Sequence, residues 1–271
     1  MVNGYRPDTL MEALAIRARE NVVPYAGGTD LMVKNPQGVT YLFLNDIEEL
    51  KNIVDDGTYI RIGAGVTFTR ALASDLVPAL MKEAISRIAA PAIRNAGTFG
   101  GNLGNGSDKA DSVLAGFALD ARVRLVSSQG ERIIPFDDFC VKRGVTNLKD
   151  DELIAEILLP KEKCALPYYY QKIGGRNALA ISRVAFAGVY EVSGGVINDI
   201  SVTVIGEGKF CRYRDVEQKM IGKTVAEIQA NPDAVVNSFI EKMTFTRGRV
   251  SAEYRKTVVT NLLKDYLLSL K

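Results

Sequence analysis

The chain has 271 residues, with 34 basic and 32 acidic side chains, three cysteines and no histidine. Without imidazole it holds no Ser-His-Asp or Cys-His machinery, no His-ligated zinc and no histidine proton switch, and three cysteines do not complete a four-cysteine zinc or iron–sulfur site. A net charge of +2 gives no steering toward nucleic acid or an anionic membrane, so demanding chemistry here requires a bound organic cofactor.

The length predicts about two domains. The N-terminus lacks the apolar core of a signal peptide, and no apolar run reaches the roughly 18 residues of a membrane span. Cys140, Cys164 and Cys211 are scattered, with no CxxC pair, and read as reduced structural thiols. A soluble cytoplasmic protein without membrane insertion or nucleic-acid partners is expected.

In chain order, residues 7–20 carry the apolar spacing of a helix. Short apolar runs at 22–25, 39–44 and 59–62, bounded by Gly, Asn or Asp, read as strands. Thr67 is placed to cap a helix through residue 73, and residues 77–90 have helical periodicity up to Pro91. Residues 96–106 then hold five glycines in eleven positions. A helix is predicted at 111–119, and strands at 121–127, 132–135 and 153–159.

Residues 161–167, rich in lysine and ending in Pro167, mark a boundary. Beyond it an aromatic strand is predicted at 168–172, and two β-rich arms at 183–192 and 196–205 flank the hairpin turn Ser193-Gly194-Gly195. Helices follow at 215–221, 224–229, 232–243 and 251–269. In the last, Tyr254, Val258, Leu262, Tyr266 and Leu270 predict the buried stripe, which Val259, Leu263 and Leu267 widen.

Two familiar phosphate-binding patterns fail. Gly63-Ala64-Gly65 follows a strand, but Phe68 stands where the dinucleotide fingerprint needs its third glycine. Gly222-Lys223-Thr224 resembles the end of a P-loop, but Glu217 occupies the position of its first glycine. Two other segments are stronger. Pro24-Tyr25-Ala26-Gly27-Gly28-Thr29-Asp30-Leu31 follows a strand, and its paired glycines allow positive φ and an anion-binding nest. Thr98-Phe99-Gly100-Gly101-Asn102 opens a second glycine-rich run, expected to expose backbone donors beside Thr and Asn side chains. Either segment alone reads equally well as a tight turn; together they suit the many acceptor oxygens of a diphosphate.

These two segments resemble the paired FAD-binding loops of the molybdenum hydroxylase flavoprotein subunits, a family that includes those of xanthine, carbon monoxide and nicotinate dehydrogenases. The resemblance continues through Pro91-Ala92-Ile93-Arg94-Asn95, Asp151-Glu152-Leu153-Ile154 and Tyr170-Gln171-Lys172-Ile173. It also takes in Ala178-Leu179-Ala180-Ile181 and Ser251-Ala252-Glu253-Tyr254-Arg255. It implies a mixed α/β (α+β) fold of the vanillyl-alcohol-oxidase (PCMH) type. Residues 1–165 would bind FAD as two subdomains, about 1–55 and 56–165. Residues 166–271 would form a C-terminal domain with a three-stranded antiparallel sheet and helices.

By the same resemblance, both loops would wrap the FAD pyrophosphate, Asp111 would accept from FAD hydroxyls, Ile88 and Ile154 would lie near the cofactor, and Lys172 would approach the flavin's polar edge. Taken alone, Lys172 reads as a solvated strand lysine. Some relatives carry an aromatic eight residues after this lysine; Ala180 stands there in this chain. No catalytic side chain and no metal ligand is assigned. The implied role is electron transfer from [2Fe–2S] clusters to non-covalent FAD and on to NAD⁺ or another acceptor. The clusters and the molybdopterin would sit on separate iron–sulfur and molybdopterin subunits. The alternatives are a stand-alone flavin oxidoreductase and a non-catalytic nucleotide-binding or assembly protein.

Overall fold

The computed structural model describes residues 3–176, 179–206, 208 and 210–271; Ala178 of the C-terminal motif lies outside them. Among the described residues, three sheets of three or more strands organise the chain. In the first, the strands Gly4–Tyr5 and Val22–Tyr25 both pair in parallel with Thr40–Phe43. The helix Leu10–Arg17 covers this sheet, shorter than the predicted 7–20 because Thr9 caps it, its hydroxyl accepting from the Glu12 N–H at 3.2 Å.

The second sheet is antiparallel, in the order Ile53–Asp55, Tyr59–Gly63, Leu153–Pro160, Arg122–Ser127, Gly130–Pro135. Ile53–Asp55, expected in the first subdomain, is hydrogen-bonded to Tyr59–Gly63 and so forms this sheet's edge. The two sheets share a small core: Val126, Leu153 and Ala155 of the second pack with Leu42 of the first, Ala13 and Ile16 of its covering helix, and Leu50 of the turn that follows. Short helices between residues 68 and 118 join Ile60, Ile62, Val123 and Ile157 of the second sheet in a larger core. One departs from expectation: the predicted helix over 77–90 is observed as Ala79–Ser86, with Ala89 at φ +41° breaking any continuation toward Pro91.

The third sheet joins Tyr168–Ile173, Val184–Ser193 and Val196–Ile205 in antiparallel register. Its hairpin turns through Gly194 and Gly195, at φ +58° and +79°. Between the second and third sheets lies the helix Asp111–Ala118, every residue of which is buried. The last helix, Ala252–Ser269, closes the C-terminal core through Val259, Leu262, Leu263, Tyr266 and Leu267. The widened stripe is therefore buried except at its start: at 3.6 residues per turn a strict four-residue repeat drifts around the helix, and Tyr254 ends up exposed. Among the described residues no helix is long and apolar enough to cross a membrane.

Candidate functional site

Residues 24–31 leave the strand Val22–Tyr25 and enter the short helix Leu31–Lys34. Two positions there require glycine. Gly28 sits at φ +67°, and a Cβ on Gly27 would stand 1.8 Å from the carbonyl oxygen of Ala96, at the foot of the second segment. Among the described residues, the backbone N–H groups of Gly27, Gly28, Thr29 and Asp30 find no intramolecular acceptor. Successive unpaired N–H groups make this turn a ready anion cradle.

The second segment differs from the exposed loop read from sequence. It is a helix, Phe99–Gly104, capped by Thr98, whose hydroxyl accepts from the Gly101 N–H at 3.1 Å. Its first donors are already used: Phe99 N–H reaches Val66 O at 3.1 Å, Gly100 N–H reaches Ala64 O at 2.8 Å, and Asn102 N–H reaches Thr98 O at 2.9 Å. The glycines serve packing instead. A Cβ on Gly100 would lie 2.5 Å from that of Ala64, whereas Gly101 is exposed. Asn102 Oδ1 accepts from Ser112 Oγ at 2.7 Å, which leaves its amide hydrogens uncommitted.

Between the two segments lies a cavity of about 390 Å³. Every residue of the first segment except Tyr25, and every residue of the second except Phe99, lines it, together with Ile154. Tyr25 turns instead onto Tyr41 and Phe43, and Phe99 is buried against Phe68. Two cations that sequence reasoning missed also line it, Arg17 and Lys34. Arg17 donates from Nη1 to the Val22 carbonyl, while its buried Nε has no partner. Lys34 Nζ donates to Asn105 Oδ1 at 2.6 Å, and Asn105 Nδ2 donates to Asp30 Oδ2 at 2.9 Å, tying the two walls together.

The remaining site candidates form a second group, outside the cavity lining. Asp111 opens the buried helix, and Lys172 reaches it from Tyr168–Ile173, Nζ to Oδ2 at 2.7 Å. Lys172 also donates to the Arg87 carbonyl at 2.9 Å, next to Ile88. Ser182 Oγ, at 3.0 Å, and Tyr170 OH, at 3.5 Å, donate to Asp111 Oδ1. Burial pushes the Asp111 carboxyl above its ordinary range, against the pull of the Lys172 ammonium. Burial likewise raises the Tyr170 phenol, and Asp111 reinforces it. The Lys172 side chain is only 5 % exposed, so the solvated alternative for it does not hold.

The arrangement suits a dinucleotide. The cavity is of ligand size, one wall offers a row of free backbone donors, two cations stand nearby, and Asp30, its flanking carboxylate, is engaged by Asn105. Among the described residues no cluster of three His, Cys, Asp or Glu is placed to hold a metal ion.

Comparison with known proteins agrees. Residues 1–162 match the family model of the FAD binding domain in molybdopterin dehydrogenase, and residues 168–270 match that of the CO dehydrogenase flavoprotein C-terminal domain. The xanthine dehydrogenase FAD-binding subunit of Escherichia coli O157:H7 is 30 % identical, over 97 % of this chain and 94 % of that protein. The nicotinate dehydrogenase FAD-subunit of Eubacterium barkeri is also 30 % identical, over 98 % and 95 %. The reconstituted CO dehydrogenase from Oligotropha carboxidovorans contains a chain of the same fold, with a TM-score of 0.89 at 25 % identity over 99 % of this chain and 96 % of that one. With its mixed α/β FAD-binding part, its three-stranded C-terminal sheet and both family models matched in order, the chain belongs to the FAD-binding flavoprotein subunits of the molybdenum hydroxylase family of oxidoreductases.

Proposed function

We propose that this chain accepts electrons from [2Fe–2S] clusters on an iron–sulfur subunit and passes them to NAD⁺ or another acceptor, in a cytoplasmic complex completed by a molybdopterin subunit. The observation that carries this reading is the cavity between residues 24–31 and 98–102, with its free N–H groups at Gly27, Gly28, Thr29 and Asp30. Residues 1–165 would hold FAD and residues 166–271 would complete the site.

In this reading the nest at 27–30 takes the pyrophosphate, Arg17 and Lys34 balance its charge, and Gly101 leaves room for it. Ile154 adds an apolar wall. Lys172 sets the local charge at the flavin end, with Asp111 and Ser182 fixing its position and Ile88 packing alongside. Bound FAD supplies hydride and single-electron chemistry that needs no protein nucleophile or general base, consistent with a chain that has no histidine.

The test is purification of the full chain. A yellow protein that releases FAD on acid treatment, and is reduced by NADH, supports the reading; a well-folded colourless chain that takes up no FAD overturns it. Copurification with iron–sulfur and molybdenum polypeptides separates a subunit from a stand-alone oxidoreductase.

A further inference from the structure

The short helix Pro91–Ala96 touches both groups of site residues. The carbonyl of its last residue, Ala96, is the atom against which Gly27 packs in the cavity wall. Two residues earlier, Arg94 donates from Nη1 to the carbonyls of Ile88, at 2.7 Å, and Ala89, at 3.1 Å. The preceding carbonyl, that of Arg87, accepts from Lys172 Nζ at 2.9 Å. Three consecutive main-chain oxygens are thus held by two cations. They lie just past the C-terminal end of the helix Ala79–Ser86, where the helix dipole favours positive charge.

The turn they hold is strained. Ala89 sits at φ +41°, a left-handed conformation that is unfavourable for a residue with a Cβ and persists only where its surroundings impose it. The start of the turn is also tied to the C-terminal sheet. Arg87 pairs with Glu83 at 2.7 Å and its guanidinium lies 5.4 Å from the centre of the Tyr170 ring, while Tyr168 OH donates to Glu83 Oε2 at 3.1 Å. Lys172 gains its direction from this turn. An ammonium carries three hydrogens; Asp111 takes one and the Arg87 carbonyl a second, which fixes the line of the third. Held by Asp111 alone, the ammonium would pivot about a single bond.

We infer that Arg94 is a positioning residue for the flavin site. By holding residues 87–89 in their strained turn it keeps the Arg87 carbonyl on Lys172, and so sets where the Lys172 charge stands relative to the nest at 27–30. The effect on the flavin rests on the placement of FAD proposed above; the clamp on Lys172 does not. A cation fixed near the flavin favours its reduced, anionic form. Loss of Arg94 releases the turn, lets the Lys172 ammonium pivot about Asp111 and lowers the flavin potential, while the nest and the cavity keep their residues.

The test loads the full chain with FAD and reads the flavin potential by spectroscopic titration against a redox dye, with FAD content and urea stability recorded for each variant. Arg94→Gln should keep most of its FAD but raise the ratio of oxidised to reduced flavin at a fixed potential about tenfold, or about 30 mV for a two-electron couple. Ala89→Val keeps Arg94 but resists positive φ; it should shift the potential the same way, and it decides the matter should Arg94→Gln not fold. In the double variant Ala89→Gly/Arg94→Gln, glycine takes positive φ without steric cost and most of the shift should be recovered. Failure of that recovery, or an unchanged potential in FAD-replete variants that have merely lost stability, overturns the positioning role. In the FAD-free chain, Arg94→Gln and Lys172→Met should be non-additive, with a coupling of at least fivefold in the unfolding equilibrium; additive losses overturn the clamp. A folded parent chain that takes up no FAD overturns the flavin reading alone and leaves the clamp to be judged by this coupling.

Discussion

Lys172 and Asp111 meet at 2.7 Å with side chains only 5 % and 7 % exposed, which makes them a buried ion pair linking the C-terminal sheet to the central helix. Breaking such a pair leaves one uncompensated charge in a low-dielectric setting, at a cost of about 3–5 kcal/mol. Lys172→Met and Asp111→Asn should therefore each destabilise the FAD-free chain strongly in urea denaturation, and the double variant should lose much less than their sum. Additive losses would show that the two groups are not coupled. Both variants should also retain less FAD.

Gly27 and Gly101 are expected to fail in different ways. Gly27→Ala drives a methyl group into the Ala96 carbonyl oxygen, 1.8 Å from the new Cβ, and should lower both stability and flavin content. Gly101 is exposed and has only Thr98 Oγ1, at 3.0 Å, and Ala26 Cβ, at 3.9 Å, near its added Cβ. Gly101→Leu should keep the chain folded by circular dichroism while flavin content falls at least tenfold; a flavin-replete G101L protein would remove this residue from the site.

Asp120 governs acid stability at the other end of the central helix. Burial works against its carboxylate, but Arg212 at 2.7 Å, Arg214 at 3.0 Å and Lys163 at 3.3 Å hold its pKa below the ordinary range. A depressed native pKa gives stability that is present above the unfolded value, near pH 4, and is lost as pH falls through the native one. Asp120→Asn should cost about 2 kcal/mol at pH 7, and its denaturation midpoint should converge with that of the parent chain below about pH 4.

Cys140 and Cys164 are free thiols that burial pushes up to about 12. Since the thiolate is the nucleophile, both should react with a disulfide reagent at pH 8 far more slowly in the folded chain than in urea, as read by stopped-flow absorbance. A thiol pKa raised on folding gives stability that is complete below the ordinary value of 9.0 and fades as pH climbs toward about 12.

Much of this architecture is legible in the residues. The pattern at 22–25, the hairpin at Ser193-Gly194-Gly195 and the arm at 196–205 are local signals that the sheets obey. What escaped depends on distant partners. The five glycines of 96–106 argue against a helix, yet Phe99–Gly104 is one, because Thr98 caps it and Ala64 and Val66 accept its first donors. Lys172 looks like a solvated strand lysine because its counterion lies 61 residues away. Arg17 and Lys34 carry no motif at all; they reach the cavity only because one ends a helix and the other follows the nest.

The contact of Gly27 with Ala96 places its demands unevenly on the two residues. On one side it uses a backbone oxygen, which any amino acid supplies; on the other it tolerates no side chain at all. This contact thus restricts the side chain at residue 27 and sets no demand on the one at residue 96. A chain of this fold that has lost glycine there would have had to rebuild the approach of its two cavity walls.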